Sequence, residues 1–299
     1  VCTLSVFNGF QEMVAGFFTA FDPELKITAR RGKTFDAADS CLRAVRRLPQ
    51  VAVWSETLEE NALVRYRDRQ LTATVKGVDG AWRRLASVDS LLYGGGEFIL
   101  QDSVASYAVP GVELMSELGC GIGFVDPLEL YAPRPGARIN VANPYAGLRH
   151  GYLHSSGLIF IVNQQEYDAH YIITSLDFAR RLFGHPGRVS AIELRLAPDA
   201  DPARTQRLIR ELLGPDYLVQ DRYEQQADVF RIMESEKLIS YLFLTFILMM
   251  ACFNVVGSLS MLMLEKRDDV RTLRNLGADT RLVRRIFRCE GGLIVVCGA

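Results

Sequence analysis

Residues 238–264 carry no Asp, Glu, Lys, Arg or His, and the run ends abruptly on Glu265-Lys266-Arg267. A helix needs roughly 20 apolar residues to cross the hydrocarbon core of a bilayer, so this stretch is long enough to span it with tilt. Buried helices of soluble proteins are usually shorter and keep a polar stripe. The run therefore reads as a transmembrane helix. Its polar side chains are Ser240, Thr245, Asn254, Ser258 and Ser260. In lipid such groups turn toward neighbouring helices, and a glycine lets backbones approach closely. Asn254, Gly257 and Ser258 thus mark an expected packing face, in a bundle rather than a lone anchor.

Both ends of the chain are apolar as well. Residues 1–10 read as the end of one span and 291–299 as the start of another, so the sequence reads as an excerpt of a multi-pass protein. The first residues lack the basic region and small-residue cleavage site of a secretory signal. Between the runs, the loop 265–290 holds Lys266, Arg267, Arg271, Arg274, Arg281, Arg284, Arg285 and Arg288 against Glu265, Asp268, Asp269, Asp279 and Glu290. Short loops rich in Lys and Arg stay cytoplasmic, whereas long domains translocate largely regardless of charge. Residues 11–237 should then lie outside the inner membrane. Acidic residues outnumber basic ones there, which gives no field for nucleic acid.

The external stretch is long enough for a real core. Only Cys41 and Cys120 fall in it, in different elements, and they read as unpaired thiols. Its pattern is α/β: a strand at 25–29, a helix over 35–48 ending before Pro49, and a hairpin of 62–66 with 72–76 turning at Asp68-Arg69. Residues 91–157 look irregular and read as an inserted small subdomain. It would hold a strand at 98–100, a helix from near Asp102, a strand at 128–131 and a proline-containing, loop-like stretch over 132–156. Strands follow at 158–162 and 171–174. Ser175 caps a helix over 176–183 that stops at Gly184, and Asp201 with Pro202 opens another that stops at Gly214. Between them 191–196 alternates Ile192, Leu194 and Leu196 inward with Glu193 and Arg195 outward. With a strand at 217–220, this order suggests a split βαβ sandwich. A polar helix then leads from about Glu224 toward the membrane, with Glu224, Asp228, Glu234 and Glu236 on its wet face.

Catalytic chemistry finds no foothold. His150 and His154 have a helical metal-ligand spacing, but Gly151, Ser155, Ser156 and Gly157 argue for loop, so no metal site is assigned. The glycines at 94–96 and 119–123 lack a following Lys-Ser/Thr pair and read as turns. No clustered acid, base and nucleophile supports an enzyme-like ectodomain on an anchor, and no cofactor is assigned to the chain.

The loop after the apolar run has an organised surface. Val270, Leu273 and Leu276 recur at helical spacing between Arg271 and Arg274, and Gly277 suits the residue just past a helix end. Asp279 or Thr280 can open a second helix with Leu282, Val283, Ile286 and Phe287 on its apolar side. One reading is a basic helix resting on anionic headgroups. The other is a docking element for a cytoplasmic partner.

The string from Met263 to Gly291 resembles the cytoplasmic loop of FtsX/MacB-type ABC transporter permeases. Glu265, Lys266, Arg267, Val270, Leu273, Arg274, Leu276, Gly277, Ala278, Ile286, Phe287, Glu290 and Gly291 fall on that family's pattern. Within it, the chain is most similar to the lipoprotein-releasing (LolC/LolE-type) permeases. Ser5-Val6-Phe7-Asn8-Gly9-Phe10 resembles their exit from the first span. Glu236-Lys237 and Phe253-Asn254-Val255-Val256-Gly257-Ser258-Leu259 resemble their second span, and Lys76-Gly77-Val78-Asp79 follows the hairpin as theirs does.

The resemblance implies a MacB-like periplasmic core with a small second subdomain, inserted between transmembrane helices. It implies a non-catalytic permease in a homo- or heterodimer, served by separate cytoplasmic ATPase subunits that bind the ATP and Mg. Its work would be to release lipoproteins from the inner membrane to a periplasmic carrier. Glu265, Lys266, Arg267, Val270, Arg271, Leu273, Arg274, Leu276 and Gly277 would form the ATPase-coupling element. Some members carry a carrier-contacting hook where this chain has Pro133, Pro135, Pro144 and Tyr145. A MacB-type efflux or mechanotransmission permease and an FtsX-type scaffold that activates a wall hydrolase are the alternatives the same motifs leave open.

Overall fold

One strand of 16 residues joins two architectures in the computed structural model, which describes residues 23–85, 90–134, 147–225 and 227–298. In chain order the strands are β1 (Leu25–Ala29), β2 (Phe35–Asp36), β3 (Val51–Tyr66), β4 (Arg69–Val78), β5 (Leu92–Gly94), β6 (Tyr107–Pro110), β7 (Leu128–Pro133), β8 (Leu148–Ser155), β9 (Leu158–Phe160), β10 (Tyr171–Ser175), β11 (Arg188–Val189), β12 (Ala191–Leu196) and β13 (Tyr217–Asp221). Nine of them form one sheet in the order β13-β1-β12-β3-β4-β10-β6-β8-β7. The long strand is β3. On one edge its residues 51–57 pair with β12 and its residues 63–65 pair with β7, while β4 runs along the other edge. Because β7 returns to β3, the strands β3-β4-β10-β6-β8-β7 close a ring of six.

The other side of β3 is a pair of interleaved βαβ units. β1, the helix Ser40–Arg46 and β3 form one; β12, the helix Pro202–Leu213 and β13 form the other, and they mesh as β13-β1-β12-β3. Each helix has the start its sequence specifies. Asp39 accepts from the Cys41 N–H, and Asp201 accepts from Ala203 and Arg204, with Pro202 in the first turn. Leu42, Val45, Ile209 and Leu213 bury one apolar face against Leu25, Ile27, Trp54, Ile192, Leu194 and Val219. Full burial of such a side chain stabilises by about 1.5–3 kcal/mol. The split βαβ expectation is met by β12, the Pro202–Leu213 helix and β13, whereas the 176–183 helix that the expected order included packs in the ring.

The ring has its own core, built by Leu58, Val64, Val75, Leu128, Leu130 and Leu153 with the helices Val112–Leu118 and Leu176–Phe183. Ser175 caps the second of these and Gly184 stops it at φ +72°, as expected from the sequence.

Several expectations need correction. Residues 35–48 begin with the short strand β2, and the helix starts only at Ser40. The hairpin is far longer than 62–66 with 72–76 and turns at Arg67-Asp68, where Arg67 takes a positive φ of 53°. Residues 98–100 form no strand, and Asp102 opens a tight turn by accepting from Val104 and Ala105 rather than starting a helix. The loop-like stretch 132–156 contains β8, eight residues long. The span 91–157 supplies β6, β7 and β8 to the main sheet, so it is woven into the ring rather than set apart. The contact pattern divides the chain only at Ala227/Asp228.

The second unit is helical: Ala227–Glu265 over 39 residues, Arg267–Asn275 and Thr280–Gly298. Residues Leu238–Glu265 are long and apolar enough to cross a membrane. Phe243, Phe246, Leu248, Phe253 and Met261 are all exposed, so apolar groups surround the helix instead of forming a stripe. Thr245 and Ser260 satisfy their hydroxyls on the carbonyls of Tyr241 and Val256, one turn back in the same helix, and so need no neighbour. Residues 1–10, which carry the expected end of a first span, lie outside the described residues.

Candidate functional site

The element after the apolar helix is short and fully defined by its ends. Lys266 precedes the Arg267–Asn275 helix, and its ammonium sits 3.2 Å from Asp269 in the first turn. Asp268 and Asp269 at the start and Arg274 at the end complement the helix dipole. At the stop, Gly277 donates to Arg274 O and Ala278 donates to Leu273 O, both at 3.0 Å. This is the paired-bond helix stop that requires a left-handed residue at its turn, and Gly277 has φ +93°. The expected residue past the helix end is thus found in place.

Leu273 and Leu276 remain exposed, the latter at 80%. Asp279 O then accepts from Leu282 and Val283 to begin the Thr280–Gly298 helix, which continues through Glu290 and Gly291 without a break. The element offers leucines and arginines on a turn closed by the Gly277 stop. Chemically it can dock; among the described residues it presents no acid–base or metal-binding cluster.

Asn254, Gly257 and Ser258 sit together on the exposed apolar helix, and a Cβ at Gly257 would meet nothing within 4 Å. Of the expected carrier contact, Pro133 ends β7 opposite Leu148, and the next residue, Arg134, donates to Gly147 O. Pro135, Pro144 and Tyr145 lie outside the described residues. His150 and His154 are both on β8, a strand rather than the expected loop.

The sequence reading missed a network of buried charge. On the sheet face away from the Ser40–Arg46 and Pro202–Leu213 helices, Lys26 lies opposite Glu193, Glu193 opposite Ser55, and Glu59 opposite Lys76. Lys76 Nζ reaches Glu193 at 2.6 Å and Glu59 at 2.9 Å, while Trp82 Nε1 donates to the second oxygen of Glu193 at 2.9 Å. Burial opposes the charge on Lys76, yet the two carboxylates outweigh it and hold its pKa above the ordinary value. Burial likewise opposes the charge on Glu59, and Lys26 and Lys76 outweigh it, lowering that carboxyl to about 2. The expectation that Glu193 faces solvent is wrong: it is fully buried, because Trp82 and Lys76 cover a face that alternation alone marks as outer. The signal available was Lys76 itself, a lysine set between Val75 and Gly77-Val78.

Lys76-Gly77-Val78-Asp79 proves to be a structural unit. A Cβ on Gly77 would lie 2.3 Å from Ala179 Cβ, so only glycine lets β4 meet the Leu176–Phe183 helix. Asp79 accepts from Ser55 Oγ, the Glu56 N–H and the N–H groups of Ala81 and Trp82. It thereby seats the Trp82–Leu85 helix whose indole closes over Glu193.

No protein-family model matches the chain. Over an alignment of 142 residues that covers 44% of the chain, it is 34% identical to the lipoprotein-releasing system transmembrane protein LolC of Neisseria meningitidis serogroup B, covering 34% of that protein. Over 310 aligned residues the whole chain is 24% identical to LolC of Xylella fastidiosa and spans 70% of its length. It is 23% identical over 294 residues to LolE of Haemophilus influenzae, covering 95% of this chain and 67% of the relative. Among solved structures, the periplasmic region of MacB from Actinobacillus actinomycetemcomitans aligns with TM-score 0.46 at 9% identity, over 69% of this chain and 91% of that one. The extracellular domain of the noncanonic ABC-type transporter YknZ from Gram-positive bacteria gives 0.45 at 10% identity, over 66% and 99%.

An α/β unit followed by a long apolar helix and a capped basic turn is the layout that the permease resemblance implies. The curated relatives make it specific: this chain is similar, along its whole length, to the lipoprotein-releasing transmembrane proteins LolC and LolE.

Proposed function

We propose that this chain is the permease subunit of an ABC transporter that releases lipoproteins from the bacterial inner membrane. Similarity to LolC over the entire chain is the observation that carries the reading. Residues 238–264 span the membrane, the α/β unit lies in the periplasm, and the arginine-rich turn faces the cytoplasm. The chain performs no hydrolysis. ATP and Mg are held by separate ATPase subunits that dock on the Arg267–Asn275 helix, through Val270, Leu273 and Leu276 with Arg271 and Arg274 around them. Glu265, Lys266, Arg267 and Gly277 set where that helix begins and ends. A second permease, identical or different, packs against Asn254, Gly257 and Ser258. The segment bearing Pro133, Pro135, Pro144 and Tyr145 meets the soluble carrier.

The test is reconstitution of the full-length protein and its ATPase in proteoliposomes loaded with a triacylated lipoprotein. ATP-dependent transfer of that lipoprotein to a soluble carrier is the expected result. Absence of transfer, with the ATPase bound and active, contradicts the reading.

A further inference from the structure

The arginines beyond the Gly277 stop take no part in the ATPase docking described above. Arg281, Arg284, Arg285 and Arg288 occupy the first turns of the Thr280–Gly298 helix. At about 100° per residue they fall within one arc about 100° wide, with Leu282, Val283 and Ile286 on the opposite side. All four are exposed, and none has an ion-pair partner among the described residues. The preceding helix is built differently: Asp268 and Asp269 stand among its arginines, and Asp269 pairs with Lys266. In the Thr280–Gly298 helix, Arg281 and Arg285, like Arg284 and Arg288, lie four residues apart, where like charges repel. Between the first and last of these arginines the sequence has no acidic residue. A dense positive face is left without a counter-charge.

The rest of the same helix indicates what lies beside that face. It continues unbroken to Gly298, and Gly291-Gly292-Leu293-Ile294-Val295-Val296-Cys297-Gly298 carries no charge. At about 1.5 Å per residue, the four arginines lie about 5–15 Å ahead of this apolar run. The polar layer on each side of the hydrocarbon is about 5–8 Å deep, and an arginine stem extends the reach of its charge further.

We propose that Arg281, Arg284, Arg285 and Arg288 form a binding face for the phosphates of anionic phospholipids in the leaflet that this helix enters. The inference rests on the permease reading above for the insertion of the helix into the membrane. A guanidinium takes a phosphate through two parallel N–H bonds, and several phosphates along one face offset the repulsion among the arginines. An acidic protein surface would offset the same charge. The apolar run beginning three residues after Arg288 favours lipid, because it sets the arginines at the level of the headgroups.

The test places the full-length protein in phosphatidylcholine nanodiscs with a trace of spin-labelled phosphatidylglycerol or, in parallel, spin-labelled phosphatidylcholine. Electron paramagnetic resonance reads the immobilised fraction of each probe, and the ATPase retained by the discs is measured on the same samples. Wild type should hold phosphatidylglycerol in preference to phosphatidylcholine. Joint Arg285→Gln and Arg288→Gln substitution should lower that preference about fivefold, the scale of one basic side chain at an anionic surface. Joint Arg285→Lys and Arg288→Lys substitution should keep most of it. If the glutamine variant fails to insert, Arg281→Gln with Arg284→Gln is measured in its place, with the same direction expected. An inserted glutamine variant with the wild-type preference overturns the lipid face, as does a lysine variant that falls as far as the glutamine one. Loss of bound ATPase with the lipid preference intact assigns the arginines to a protein partner and overturns it too. A wild-type protein that immobilises both probes equally overturns this inference alone. One that immobilises neither overturns the membrane reading, and this inference with it.

Discussion

At Lys76 the sheet contains a charge that it cannot expose. Glu193 is fully buried and its two oxygens are taken by Lys76 and Trp82. A buried pair adds little net stability over an apolar substitute, but removing one partner strands the other. Lys76→Met should therefore cost about 3–5 kcal/mol, read as a shift in the urea midpoint of the protein's α/β unit. A loss below about 1 kcal/mol would mean that Glu193 finds water. The pH dependence has a fixed sign. Glu59 titrates at about 2 in the folded state, below the ordinary 4.5, so its contribution is complete above about 4.5 and drains away as pH falls toward 2. In urea titrations, acid should cost less stability in Glu59→Gln than in wild type across that window. Gly77→Ala should destabilise by about 1–3 kcal/mol through overpacking against Ala179, despite alanine's better strand entropy. Apart from the placement of Lys76 beside apolar residues, this network was not legible in sequence. A period of two assigns Glu193 to a face; what covers that face comes from Trp82 and Lys76, 111 and 117 residues away.

Elements with local punctuation were the readable ones. Asp201-Pro202, Ser175, Gly184, Gly214 and Gly277 all mark helix ends where the structure has them, because a cap or a left-handed stop is decided within a few residues. Strands were legible where apolar residues alternate, as at 191–196, or run together, as at 158–160 and 171–174. The middle of β3 reads Glu59-Glu60-Asn61, and nothing local reveals that its polar side chains are paired with Lys26, Lys76, His185 and Thr74 across the sheet. β8 looked like loop for the same reason: Gly151 and the two histidines hide a strand defined by its ladder to β7. The candidate coupling helix was legible because its signals are local, whereas the bonds of Glu224, read only as a wet-face residue, were not. Asp221-x-x-Glu224 is a capping pattern, but the Arg210 and Gln206 partners come from tertiary packing.

For the whole molecule, the split βαβ order could be inferred because caps and alternation fix its helices and strands. The ring closure could not, since it depends on one edge of β3 being shared by β12 and β7. Orientation follows from charge: a cysteine placed at Arg281 should resist a membrane-impermeant thiol reagent added outside sealed spheroplasts, whereas one at Arg134 should react. Equal reaction at both positions would reverse or abolish the positive-inside assignment. The central claim is that ATP hydrolysis on one side of the membrane is converted into work by the α/β unit on the other. It is tested most directly by measuring hydrolysis and lipoprotein release in the same vesicles for Gly277→Val. A β-branched residue in the left-handed stop costs about 1–2 kcal/mol locally and disturbs the end of the Arg267–Asn275 helix, leaving the sequence of the α/β unit unchanged. Folded, inserted Gly277→Val protein should lose release while its ATPase continues to turn over, and normal ATP-driven release by that variant would contradict a coupling role for the turn.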